Sequence, residues 1–300
     1  MIGSSCVVDA IVANAARCRV EQVGSVSVID PTCDIRCVRQ QCSRFAVSAF
    51  NWRAVSDWLP ERSSVAIQPG VRHYFHSGDT FDHCMQNLMS TIVIASWAEI
   101  SLLAVASFSA LLVLLHFLKP ELDPSWRMIS EYEIGRHGWM MRLAFLCWSA
   151  SFFALTAALF RKASTAAEVL LAIVGVGALI AALFAPDPIT TPRASLSRAS
   201  RLHSIGGMLV IPVLPLAAAA VGWSISGNPL VASIQHYLLW ISFLPWFGLA
   251  VQAIPVFRFG STRLEPGPNM HIGWPNRFMV FTYVAWLMII GCALFVSASA

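Results

Sequence analysis

Beyond residue 88 the chain alternates between long apolar runs and short polar stretches. Crossing a bilayer as an α-helix takes about 20 mostly apolar residues. Six stretches meet that length: 91–118, 138–160, 166–185, 204–223, 235–257 and 277–297. The first is long enough to tilt. The fourth carries Gly206-Gly207 and then Pro212 and Pro215, and the fifth carries Pro245 and Pro255. Such prolines predict kinks, which neighbouring helices must satisfy. Gly175, Gly177 and Ala181 in the third run predict a close helix approach. The predicted fold is all-α, an integral membrane bundle of six transmembrane helices over residues 89–300, behind an N-terminal extension of residues 1–88.

Composition agrees with this pattern. The chain is 57% hydrophobic and 12% charged, about half the charge of a soluble domain. Its mean hydropathy is +0.65. The net charge of +4 is spread out, and no basic cluster interleaved with aromatics points to nucleic acid. The expected surroundings are membrane lipid. Seven tryptophans (Trp139, Trp148, Trp223, Trp240, Trp246, Trp274 and Trp286) recur through the spans, several near predicted ends where aromatic belts form.

Residues 1–88 break the pattern. They show no sustained helical or strand period, and no charged start leading into an apolar run and cleavage site. Cys33, Cys37 and Cys42, with His73, His76 and His83 downstream, invite a zinc reading, but the spacing lacks the paired C-x2-4-C element of common zinc sites. The expectation is a poorly structured extension or a start codon assigned too early, since Met85 and Met89 stand just before the first span.

Charge then suggests orientation. Lys119, Arg127 and Arg136 lie between spans one and two. Arg193, Arg198 and Arg201 lie between three and four, and Arg258, Arg263 and Arg277 between five and six. On the opposite side the connections between spans carry only Arg161 and Lys162, although residues 1–88, with eight arginines, would share that side unless the chain starts near Met85 or Met89 or the orientation is inverted. The excess of basic residues in cytoplasmic loops places the three rich loops inside. Glu99, the one acid in span one, falls near the opposite interface, where Arg161 or Lys162 could pair with it.

The three rich loops share one side of the membrane and gather most of the chemistry. Asp123, Arg127, Ser130, Glu131, Tyr132, Glu133, Arg136 and His137 come from the first. Asp187, Arg201 and His203 come from the second, and Glu265, His271, Asn276 and Arg277 from the third. Polar residues at a bundle mouth are where membrane sites are commonly built. Four readings follow. His203, His271 or His137, with Asp187 or Glu131, could hold a zinc-like ion that activates water in a metal-assisted intramembrane hydrolase, Asp187, His203 and His271 being the candidate ligands. His116, His203 and His236 could ligate haem, which requires facing histidines at matched depth. The polar groups could tie the loops together as a structural or partner-binding scaffold, with Ser130 and Glu133 spaced as a capping box. The leading reading is a protein that binds or moves a lipid or small amphiphile between the kinked spans four and five.

Two motifs carry a resemblance. Ile129-Ser130-Glu131-Tyr132-Glu133-Ile134-Gly135 followed by Gly138-Trp139-Met140-Met141-Arg142-Leu143-Ala144-Phe145 resembles the "ISxYxxG…GW…aF" signature of domain of unknown function 998, a family of small bacterial membrane proteins. Phe184-Ala185-Pro186-Asp187-Pro188, followed by Arg201-Leu202-His203, resembles that family's "FxxDP…GrlH" element, and Asn276-Arg277 resembles its Gln-Arg. Ala199-Ser200 stand where the family usually has Pro-Gly or Gly. The resemblance covers about residues 90–297. It implies a six-helix protein of a bacterial cytoplasmic membrane and no established activity or cofactor. Carried across, the motifs mark Ser130, Glu131, Tyr132, Gly135, Asp187, His203 and Arg277 as candidate site residues.

Overall fold

The structure, a computed structural model, describes residues 20–23, 26–29, 77–260 and 267–299, with side chains over 89–258 and 267–299. The cysteine and histidine expectations for Cys33, Cys37, Cys42, His73, His76 and the His83 side chain lie outside the described residues, as does most of the expected N-terminal extension. The chain divides into two units, Met1–Tyr74 and Phe75–Ala300. In the first, β1 (Val20–Val23) pairs antiparallel with β2 (Val26–Ile29), Val20 opposite Ile29.

The second unit is the six-span bundle. It begins with α1 (Ser77–Leu118), which starts ahead of the boundary at residue 89. Then come α2 (Gly138–Leu159) and α3 (Thr165–Leu183). Span four is broken into α4 (Arg198–Val210) and α5 (Val213–Ser224). Span five runs from a 3-10 segment, Pro229–Tyr237, into α6 (Leu238–Gly260), and span six is α7 (Gly273–Ser299). All six are long and apolar enough to cross a membrane. Neighbours in sequence pack together, and α7 returns to α1, so the bundle closes as a ring. Within span four, α4 packs on α3, while α5 carries the contact to α6.

Proline chemistry explains the break in span four. Pro215 has no N–H, so it cannot donate to Ile211, four residues back. Tyr283 of α7 supplies the missing donor, its hydroxyl lying 2.6 Å from the Ile211 carbonyl oxygen. In hydrocarbon an unpaired carbonyl costs several kcal/mol by rough estimate, so this bond holds the kink against span six.

Large side chains sort by surroundings. Phe108, Trp148, Phe152, Leu155, Tyr283 and Trp286 fill the interior, and the Phe108 and Trp148 rings stack at 4.8 Å. Leu103, Phe117, Leu216, Phe243 and Phe281 face outward, which suits lipid and would be an aggregating surface in water. Trp139 and Trp274 are exposed at the loop-rich ends of spans two and six. Trp223 and Trp240 are exposed at the opposite ends of spans four and five. Together they form belts at both interfaces. Glu99 is exposed and forms no ion pair with Arg161 or Lys162. Glu168 instead accepts the Arg161 backbone N–H at 2.7 Å.

The expected close approach is present where α3 crosses α4. A Cβ on Gly206 would strike the Gly177 carbonyl oxygen and the Ala181 nitrogen, and a Cβ on Gly177 would strike Leu209 and the Gly206 carbonyl. Backbone cannot rotate aside as a side chain can. Gly206→Ile is therefore expected to destabilise the bundle by about 3 kcal/mol or more, read as a lower melting temperature in detergent. Wild-type melting would contradict this crossing.

Candidate functional site

The loop between spans one and two is bound down from every direction. Ile129–Glu133 form a 3-10 turn. Lys119, just past α1 and only 3% exposed, donates its ammonium to the Tyr132 carbonyl at 3.1 Å and to the Ile134 carbonyl. Burial lowers the Lys119 pKa, with Glu121 acting in the opposite direction. From α7, Asn276 Oδ1 accepts the Ile129 N–H at 3.1 Å. Arg277 donates to the carbonyls of Arg127 (2.6 Å), Pro124 (3.3 Å) and Gly273 (3.1 Å), to the Tyr132 hydroxyl (3.0 Å) and to His116 Nε2 (2.8 Å). Gly273 donates its own N–H to Ser125 at 3.1 Å. A Cβ there would run into the Pro124 and Arg127 carbonyls, so this approach requires glycine.

Glu131 ties in the loop between spans three and four. Its carboxylate accepts from Arg127 at 2.7 Å, from the Met128 N–H at 3.2 Å and from the Ile189 N–H at 2.9 Å. This corrects the expected capping box. The 3-10 turn begins at Ile129, so the residue placed to reach back is Glu131 and not Glu133. Asp187 ends the same loop at α4. Its carboxylate accepts the Ser197 N–H (2.7 Å) and hydroxyl (3.1 Å), while Ser197 caps α4 by accepting from the Ser200 N–H at 3.1 Å. The Ser200 hydroxyl accepts the Asp187 N–H at 3.1 Å. The serine that departs from the family pattern is thus part of this joint.

His203 and Glu133 lie deeper. His203 is 9% exposed, and its Nδ1 is 2.7 Å from the Phe184 carbonyl oxygen. A carbonyl can only accept, so Nδ1 carries the proton and Nε2 is an acceptor in the neutral ring. The Glu133 side chain is fully buried, 3.8 Å from His203 Nδ1 and 3.9 Å from Arg142 Nε, and neither carboxyl oxygen has a hydrogen-bond partner. Burial pushes its pKa up to about 8, opposed by Arg142.

Below these joints is a cavity of about 390 Å³. Ser130, Glu131, Asp187, Thr191, Ser200, His203, Ser204 and Asn276 give it a polar mouth. Phe145, Trp148, Ala178, Val210, Ile211, Met279 and Val280 give it an apolar depth. It lies between α4 and α7 and is lined from spans two, three, four and six, with no residue from span five. Met208, which lines it, is 66% exposed on an apolar span, so one wall residue of the cavity also faces outward.

Of the candidate site residues, Ser130, Glu131, Asp187 and His203 line this cavity. Tyr132 is buried, bonded to Arg277, and does not line the cavity. Gly135 sits in a left-handed turn with φ 74°. Arg277 is the clamp of the loop. His271 is exposed in a left-handed turn before α7 and does not line the cavity. Among the described residues no three His, Cys, Asp or Glu side chains gather as metal ligands would. The histidines of the haem reading are dispersed. His116 is held by Leu112 and Arg277, and His236 lies in the segment leading into span five, on the opposite side.

Sequence reasoning missed Phe145, Trp148, Gly207, Met208, Ile211, Met279 and Val280. A signal was present in span four: Ser200, His203 or Ser204, Gly207 and Ile211 recur every three or four residues on one helix face, a polar and small stripe entering an apolar run.

A six-span membrane bundle with a polar-mouthed cavity beneath interlocked loops is the class of protein these features define. The chain belongs to the family described as Protein of unknown function (DUF998), which it matches over residues 102–293. No similar curated protein and no similar solved structure was found.

Glu133 generates a pH prediction. Its folded pKa, about 8, exceeds the ordinary 4.5. Between these values the native protein keeps a proton that the unfolded chain has released. Stability therefore falls as pH rises through that window and levels off above it. Glu133→Gln is expected to flatten the fall and to exceed wild type by roughly 1–3 kcal/mol near pH 8, the cost of an unsatisfied buried group. Melting curves in detergent at pH 5 and 8.5 check it; identical pH dependence in both proteins would contradict it.

Proposed function

We propose that this protein binds a single-chain lipid or similar small amphiphile in the cavity between α4 and α7. The observation that carries the reading is the union of polar mouth and apolar depth in one space, with the outward-facing Met208 in its wall. From Gly138 to Trp148, α2 descends about 15 Å at 1.5 Å per residue, half of a hydrocarbon core about 30 Å thick. The cavity therefore reaches about one leaflet deep. An amphiphile could enter past Met208 with its chain in hydrocarbon and its head among Ser130, Ser200, His203 and Asn276. Mostly apolar walls with a few placed polar groups are the usual composition of such sites. Asp187 and Glu131 are occupied in holding the loops, which supports binding over hydrolysis by those acids. The site stands apart from the prolines of span five.

Gly207 offers a clean test. It lines the cavity, and a Cβ there meets nothing closer than Ile211 Cδ1 at 4.0 Å. Gly207→Phe should fill the space without disturbing the α3–α4 crossing. A monoacyl lipid carrying an alkyl diazirine should label Met208, Ile211, Met279 or Val280 in wild type. That labelling should fall at least about fivefold in Gly207→Phe, equivalent to about 1 kcal/mol, while the melting temperature is maintained. Labels confined to the outward faces of the helices, or unchanged by the substitution, would overturn the reading.

A further inference from the structure

One arginine faces outward on an apolar helix. Arg142 stands one turn into α2, and its side chain is 51% exposed. Trp139, Leu143 and Leu146 are exposed on the same helix face, spaced by three and four residues. Arg142 lies about 6 Å below Gly138 along the helix axis, at the level where headgroups meet hydrocarbon. A guanidinium has five N–H donors, and among the described residues Arg142 gives none of them to a hydrogen bond. Its one acid neighbour there is Glu133, whose Oε2 is 3.9 Å from Nε, too far for a hydrogen bond.

Glu133 is a poor counter-ion at neutral pH. Its side chain has no exposed surface, and neither oxygen has a hydrogen-bond partner. The titratable groups that face its carboxyl are Arg142 from α2 at 3.9 Å and His203 from α4 at 3.8 Å. Lys119, at the end of α1, and Arg277 of α7 bind the carbonyls and the Tyr132 hydroxyl beside it, not the carboxyl itself. Glu131, on the same turn, is taken up by Arg127. Burial keeps the proton on Glu133 until the pH reaches about 8. Below that, Arg142 carries a charge that no neighbouring side chain neutralises. Charge without a partner is costly at the edge of hydrocarbon. A phosphate would satisfy it, accepting two parallel N–H donors from the guanidinium. A phosphate with no cation of its own gains most, because the ammonium of a zwitterionic head already offsets its charge.

We propose that Arg142 binds the phosphate of an anionic phospholipid on the outer face of α2, with acyl chains along Leu143 and Leu146, and that Glu133 competes with that phosphate for the guanidinium. Neither Arg142 nor Glu133 lines the cavity, so this site is independent of the amphiphile reading above. Loss of the Glu133 proton places a carboxylate beside the guanidinium and weakens the hold on lipid. By linkage, bound lipid favours the protonated acid.

The test titrates full-length protein in detergent against acyl-labelled phosphatidylglycerol and, as control, phosphatidylcholine with the same label. Fluorescence anisotropy gives the affinities at about pH 6.5 and about pH 9.5, on either side of the Glu133 titration. Wild type is expected to bind phosphatidylglycerol about fivefold tighter at the lower pH, the worth of one interfacial cation, and to lose that preference at the higher. Glu133→Gln cannot ionise and should keep the preference at both. Arg142→Gln should show none at either and should melt as wild type does, since its guanidinium fastens nothing. Equal affinities for the two lipids in wild type at the lower pH, or a preference that survives in Arg142→Gln, would overturn the site. A wild-type preference unchanged by pH would overturn the competition with Glu133. Displacement of the lipid by inorganic phosphate would mark a general anion site and overturn the assignment to lipid.

Discussion

Everything at the loop-rich end depends on satisfying one short stretch of backbone at the edge of hydrocarbon. Residues 120–137 leave α1 and must turn back into α2 where solvent is scarce. Lys119 and Arg277 solve this as cations bonded largely to carbonyl oxygens. Hydrogen bonds from charged donors are worth about 1.5–3 kcal/mol each, and Arg277 makes several from one planar group. Its fork geometry cannot be reproduced by lysine. Asn276 and Glu131 complete the joint, one reaching from span six and the other toward the loop before span four. Through these residues the loop between spans one and two, the loop between spans three and four and the start of α7 are tied together, and the first two supply the polar rim of the cavity.

The same economy governs the middle of the membrane. Pro212 and Pro215 break span four, and Tyr283 takes over the carbonyl that Pro215 cannot serve. The break lies beside Ile211 at the apolar end of the cavity, so the kink is continuous with the space. Above it, glycine at 206 pulls α4 onto α3 and away from α7, leaving the gap that Met208, Met279 and Val280 line. Tight packing on one side of α4 and open space on the other follow from two adjacent glycines with opposite surroundings: Gly206 has no room for a side chain, and Gly207 has.

The fold was legible in the sequence because span length and charge depletion leave few alternatives in a bilayer. Helix ends were approximate, and α1 began earlier than its apolar run. The clustering of three loops was also legible, since alternate connections must share a side. The roles within the cluster were not. Glu133 was expected at a cap and is a bare buried carboxyl. Tyr132 and Arg277 were read as candidate site residues and are fasteners for the loop. Such roles depend on which backbone atom comes within 3 Å across more than a hundred residues of sequence, as with Ile129 and Asn276. The cavity was invisible because emptiness between helices leaves no residue type behind; Trp148, in its wall, looks like any other core tryptophan.

The measurement that tests the central claim most directly is native mass spectrometry of the protein released from its own membrane by gentle delipidation. The account predicts one retained adduct with the mass of a single lipid, surviving after loosely bound lipids are stripped. Bare protein alone, or a graded statistical series of adducts with no preferred stoichiometry, would contradict a dedicated lipid site between α4 and α7.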